Sequence, residues 1–296
     1  SSTVSGGTGT TTYQWEYDNG GTWVPVANGL PTGAVYVNAT TATLTVSAIS
    51  VPGTYNYRNS VVSTGDGCNS ATSSTGSITV VADPAAATPT FTNPSICTSG
   101  NTQVSSAVSG GTGTLGYQWQ YFNGTWGSVV NGTPAGAVYT NPNTATMTIS
   151  GIVPLGSYQY RLVYTASGSD CNAANSTAGT LVVSAGPSVT TPVFTNATIC
   201  QGGTSSASVT ASGGTGTTSY SWEYFNGGTW NAVVNNTPAG ATYTGAGTAT
   251  LGISGITAVA AHQYRVVVSS SGAGCNPTTS TASTVTVVAD PSLSSP

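Results

Sequence analysis

Five cysteines, seven carboxylates, three arginines and one histidine are the residues of this chain with side chains suited to chemistry. Cys97 and Cys171 stand 74 residues apart, and Cys200 and Cys275 stand 75 apart. That equal spacing predicts one disulfide per repeat, Cys97–Cys171 and Cys200–Cys275, and places the protein in an oxidising, extracellular compartment. Cys68 then matches the second member of a pair whose first member would precede Ser1. Each bridge would stabilise its repeat by about 4–5 kcal/mol on the chain-entropy account. A zinc site is the rival, but it would need more than a single histidine, His262, in a chain without a Cys-x-x-Cys.

The remaining polar chemistry does not converge. His262 occurs in one repeat of three and has no acid near it in sequence, so a Ser-His-Asp site is not expected. Asp83 and Asp290 recur at repeat junctions, but Gly186 takes their place at the middle one, which argues against a calcium cage. No metal, no cofactor and no enzymatic activity are expected. Glu16 with Arg58, and Glu223 with Arg265, fall at outward positions of neighbouring strands. They predict cross-strand ion pairs of structural use, with Gln120 in the acid's place opposite Arg161. Trp23, Trp126 and Trp230 follow hairpin turns and are the candidate ligand contacts, for instance for a sugar ring.

These residues are carried by a repeat. Gly-Gly-Thr-Gly followed by Tyr-x-Trp-x-Tyr recurs, with first glycines at Gly6, Gly110 and Gly213, 104 and 103 residues apart. A period of 103–104 residues is a folded module, large enough for its own core. The modules are 1–82, which lacks its opening strand, then 83–185 and 186–289, with 290–296 leading toward a next module. The chain reads as part of a longer array.

Within the middle module, strands are expected near Pro89–Asn93, Thr102–Val108, Leu115–Phe122, Trp126–Val130, Ala137–Tyr139, Thr144–Ile149, Ser157–Tyr164 and Thr177–Ser184. Asn123-Gly124 and Asn131-Gly132 are hairpin signals. Alternation turns Tyr117, Trp119 and Tyr121 to one face, which is the core. Many short strands and no helical period predict an all-β chain of tandem two-sheet sandwiches.

Only 3% of the residues are charged, the net charge is −4 and lysine is absent. With no basic patch, nucleic acid and anionic membrane surfaces are poor partners, and no apolar run approaches the ~20 residues of a membrane span. The sequons at Asn38, Asn123, Asn131, Asn175, Asn196 and Asn235 are what a chain rich in Asn, Ser and Thr produces by chance. O-linked sugars on Ser and Thr fit the composition better.

Cys200–Gly203, Tyr220–Tyr224, Thr248–Ile256, Gln263–Arg265 and Gly274–Asn276 together resemble the immunoglobulin-like repeats of large surface adhesins and gliding-motility proteins of Bacteroidota. The resemblance runs module by module over nearly the whole chain. It implies that the sandwiches are immunoglobulin-like and that their location is the bacterial cell surface or a secreted filament. It departs from antibody domains in that the second cysteine lies beyond the Tyr strand, so the bridge would tie a module edge to a loop. The expected role is a non-enzymatic array forming a stalk, surface fibre or filament, whose partners are adjacent repeats or copies of itself. The alternatives are an adhesin whose modules bind cell-surface glycans, and discrete subunits polymerised by strand donation.

Overall fold

The structure, a computed structural model, describes residues 1–293, so residues 294–296 of the expected terminal linker lie outside the described residues. The chain is all-β, built as tandem immunoglobulin-like sandwiches; no helix long and apolar enough to cross a membrane occurs among the described residues. It divides into two compact units. One comprises Ser1–Ala85, Ser109–Leu115 and Thr165–Ala174, and the other comprises Ala86–Val108, Gly116–Tyr164 and the chain from Asn175 on.

The third module shows the complete plan. One sheet runs Thr198–Cys200, Ser283–Val288, Ala261–Ser270, Thr218–Phe225, Trp230–Ala232, and Thr278–Thr279 also pairs with Ala261–Ser270. The facing sheet runs Val193–Phe194, Thr204–Ser208, Thr250–Ser254, Thr242–Thr244. Alternation along each strand sends every second side chain inward. Trp222, Tyr264, Val266, Leu251 and Ile253 thereby meet in one core. The second module repeats it, with Trp119, Tyr160, Leu162, Met147 and Ile149 at the centre.

Each expected strand of the second module has a counterpart within a few residues, Ala85–Ala86, Ser95–Cys97 and Ala174–Asn175 are strands besides, and one expected run is broken. The expected run Thr102–Val108 is two pieces, Asn101–Ser105 and Val108–Ser109. The chain bends at Ser106, whose Oγ donates to Ala87 O at 2.6 Å while its N–H donates to Ala145 O.

The first module keeps the Trp sheet, ordered Trp23–Pro25, Thr11–Asp18, Gly53–Ser63, Ala71–Thr72, with Gly76–Val80 also on Gly53–Ser63. Its second sheet is reduced to Val35–Val37 and Thr45–Ser47. The core shrinks with it to four buried aromatic residues, Trp15, Tyr17, Tyr55 and Tyr57. Ile78 shows the effect: it is 40% exposed, whereas Leu181 and Val285 at the same place in the other modules are 0% exposed.

Candidate functional site

The three arginines do the same thing in each module. Arg58 and Arg265 donate through Nε to Glu16 and Glu223 at 2.6 and 2.5 Å, and Arg161 donates to Gln120 Oε1 at 2.7 Å. The registers Glu16↔Arg58 and Glu223↔Arg265 set these contacts directly. Each guanidinium also lies over a tryptophan, with Arg58 on Trp23, Arg161 on Trp126 and Arg265 on Trp230, at 4.4–4.5 Å from the ring centroid. Phe122 and Phe225 pack on two of those rings at 5.2 Å. The ring surface a sugar would stack on is thus shared with an arginine in all three modules. Sequence reading identified the acid–arginine partners but not the tryptophan beneath them. The signal was present, since Trp and Arg recur together with the same period.

Tyrosines form a second recurring set. Tyr139 O–H donates to Thr133 O at 2.9 Å, so Tyr160 O–H is the donor in the 3.1 Å contact between the two hydroxyls. Tyr36 with Tyr57 and Tyr243 with Tyr264 repeat the arrangement. Burial pushes the Tyr139 and Tyr243 phenols up to about 12 and raises those of Tyr57, Tyr160 and Tyr264 as well. Their folded values lie above the unfolded value of about 10. The stability they contribute is therefore complete below about pH 10 and is lost as pH rises from there through the folded values. Thermal melts between pH 8 and 12 are expected to hold level to near pH 10 and then fall, with phenolate absorbance rising at the melt. A midpoint unchanged at pH 11.5 would contradict this.

His262 is a structural substitute. Its Nε2–H donates to Ala258 O at 2.9 Å, where Tyr55 O–H donates to Val51 O and Tyr158 O–H donates to Pro154 O. Its Nδ1 faces Tyr224 O–H at 3.3 Å, so both ring nitrogens are engaged. His262→Tyr is expected to change stability by less than about 1 kcal/mol, because it restores the donor used elsewhere in the repeat. His262→Ala is expected to cost about 2–3 kcal/mol, through the cavity and the lost hydrogen bond. Urea unfolding of the two variants checks this, and equal costs would contradict it.

The cysteines depart from expectation. The one disulfide among the described residues joins Cys97 to Cys275, 178 residues apart in sequence and with Cα atoms 5.0 Å apart; Cys68, Cys171 and Cys200 are thiols. The predicted bridges Cys97–Cys171 and Cys200–Cys275 are thus replaced by one bond between the second and third modules. Strand length is the reason. Cys200 pairs with Val288, next to the Ala261 end of the strand Ala261–Ser270, while Cys275 follows the Ser270 end. Ten residues of extended chain span about 33 Å, far beyond the ~7 Å limit for bridging Cα atoms. The second and third modules each carry their two cysteines at opposite ends, so Cys97 at one end of the second meets Cys275 of the third.

That junction is close-packed. Cys97 N–H donates to Ala273 O at 2.9 Å, and Ala273 packs against the second module's core. A Cβ on Gly274, whose φ is +75°, would fall 2.3 Å from Gly100 Cα. Glycine at 274 therefore serves both the backbone turn and the approach of the two modules. Cys200 stands in the third module where Cys97 stands in the second, on a parallel strand pair of the same register. Cys68 lies in the turn equivalent to that of Cys275, and Thr8 hydrogen bonds, the backbone one first, lower its pKa.

No family profile and no curated protein matches the chain. Solved structures of similar fold do. The Escherichia coli adhesin FdeC aligns over 96% of this chain and 87% of its own, at 14% identity and a TM-score of 0.43. The N-terminal eight Ig domains of Down Syndrome Cell Adhesion Molecule align over 94% of this chain, at 14% identity and a TM-score of 0.37; this chain spans 33% of that one. The FN1–FN3 domains of chicken CNTN1 align over 92% of this chain and 90% of theirs, at 11% identity and a TM-score of 0.32. At these levels the likeness is one of fold. No group of three or more metal-ligating side chains occurs among the described residues.

Proposed function

We propose that this chain is a stretch of an extracellular structural repeat array, a bacterial stalk, surface fibre or filament whose partners are its own neighbouring modules. The observation that carries this reading is the Cys97–Cys275 bond, which locks one module's end to the next. A disulfide between modules serves fixed geometry along a series, and it requires an oxidising compartment. The recurring Arg–Trp contacts support the same reading, because residues suited to ligand recognition are used identically for packing in each module.

The glycan-binding alternative rests on Trp23, Trp126 and Trp230. It requires a sugar to use the ring surface that the arginine leaves open, with Phe122 and Phe225 also packed on Trp126 and Trp230. The size and form of the native material test the main reading. An array gives a polypeptide of several hundred kDa, and antibody against this chain decorates fibres or the cell surface in electron microscopy. A native polypeptide of about 300 residues, or labelling confined to the cell interior, would overturn it.

A further inference from the structure

The first module's surface repeats one half of the junction seen between the second and third. Cys171 occupies the position of Cys275, and Thr112 that of Thr215, whose hydroxyl contacts Cys275 Sγ. Cys171 lines a groove of about 600 Å³ within its compact unit, together with Val46, Ile49, Ile78 and Val80. In the second module the space beside the equivalent residues Ile149, Ile152, Leu181 and Val183 holds the segment Ser95–Cys97, with Ile96 fully buried in the core. That segment adds in parallel to the closing strand, in the register Ser95↔Val182, Ile96↔Val183, Cys97↔Ser184. The third module holds Thr198–Cys200 in the same way. Among the described residues, the first module's closing strand, Gly76–Val80, pairs on one side alone, with Gly53–Ser63.

A second groove, of about 410 Å³, is lined by Ser2, Asn59 and Cys68. Asn59 is fully buried, and its Oδ1 has no hydrogen-bond partner among the described residues. Ser2 stands where Ser106 stands, and its N–H donates to Ala42 O as that of Ser106 donates to Ala145 O. The backbone at Ser2 is thus already held where an opening segment leaves the second module's sheet.

We infer that this track on the first module takes an extended opening segment of the repeat's own kind, in the same polypeptide and running into Ser1. Its Ile-Cys strand adds in parallel to Gly76–Val80 and its cysteine bonds to Cys171. The inference rests on the array reading and extends it, because the Cys97–Cys275 bond becomes one rung of a ladder with a rung at each junction. In the register of the second module the incoming Ile pairs with Val80 and the incoming Cys with Val81. The bond forms as the two thiols give up two protons and two electrons to a small-molecule disulfide, which is reduced to two thiols. Asp170 occupies the position of Gly274 with φ 58°, and a Cβ at Gly274 would meet Gly100 Cα at 2.3 Å, so the backbone at this rung has to give way for the bond to close and Asp170→Gly relieves it.

The test grafts a copy of Asp83–Val104 directly ahead of Ser1 and oxidises the chain with glutathione disulfide. The grafted cysteine is expected to bond Cys171 at least tenfold more often than Cys68 or Cys200, as mapped by peptide masses. Asp170→Gly in the graft is expected to speed closure severalfold. Cys171→Ser is expected to leave the grafted cysteine a thiol while keeping the graft's rise in the first module's melting temperature. A grafted cysteine that stays free, or that spreads evenly over the three thiols, overturns the inference.

Should the graft fail to fold, a synthetic peptide of the Thr92–Val104 sequence is offered to the native chain with the same oxidant. Preferential capture at Cys171, abolished when Asp replaces the peptide's Ile, supports the site. Equal labelling of Cys171 and Cys200 overturns it. These results are separable from the array reading. A fibre in which Cys171 is a thiol would remove the rung and leave the array, while a native polypeptide of about 300 residues would remove the array and with it the in-chain segment that supplies the cysteine.

Discussion

Trp119→Ala is expected to destabilise the second module by about 3–5 kcal/mol, the range for emptying a large aromatic site in a closed core. Trp119 is fully buried among Tyr139, Met147, Ile149 and Leu162, and its Nε1–H donates to Thr144 O at 2.9 Å. Alanine leaves both a cavity and that carbonyl without its donor. The same change at Trp15 is expected to cost distinctly less. Its indole makes the same hydrogen bond, to Thr41 O, but it belongs to a core of four buried residues, none of them closed off completely from water. Its neighbours there are already in contact with water, so less buried contact is lost. Urea denaturation of the two variants followed by circular dichroism decides the matter, and equal losses would show that the first module's core is closed in solution.

Cys275→Ser is the second large effect. On the chain-entropy account, a cross-link 178 residues apart in sequence stabilises by about 5 kcal/mol. The second and third modules are expected to unfold in one transition when bridged and in two, at lower temperature, in the variant. Cys97→Ser should do the same, and the double variant should add nothing, because both remove one bond. Scanning calorimetry on oxidised and reduced chain reads this. Melts that do not respond to reductant, or a Cys97–Cys171 bridge found in peptide masses of the oxidised chain, would contradict the structure.

What could be read from the sequence was whatever the local period controls. Alternation placed Trp119 and Trp222 inside and Glu223 opposite Arg265, because a strand's faces and the register of its neighbours follow from two-residue periodicity and turn position. The cysteine partners were not legible in that way. Spacing along the chain shows that Cys97 and Cys171 recur together, but a separation of 74 residues does not report that a whole strand length lies between them. Deciding the partner needed the direction of Ala261–Ser270 and the placement of its two ends. The cue that sequence did carry is glycine. Gly100 and Gly274 have no local turn in common, and their joint need for a bare backbone arises only when the two modules abut.

The Cys97–Cys275 bond also changes which residues would feel a pull. Tension entering through the first residues crosses at Cys97 directly to Cys275 and leaves through the C-terminal stretch. The chain between them, most of two sandwiches and the linker that joins them, hangs as a covalently closed loop outside the path of the force. Across these two modules stress would pass through a short series of bonds, and the parts of their cores inside the loop could open and refold without the thread becoming longer.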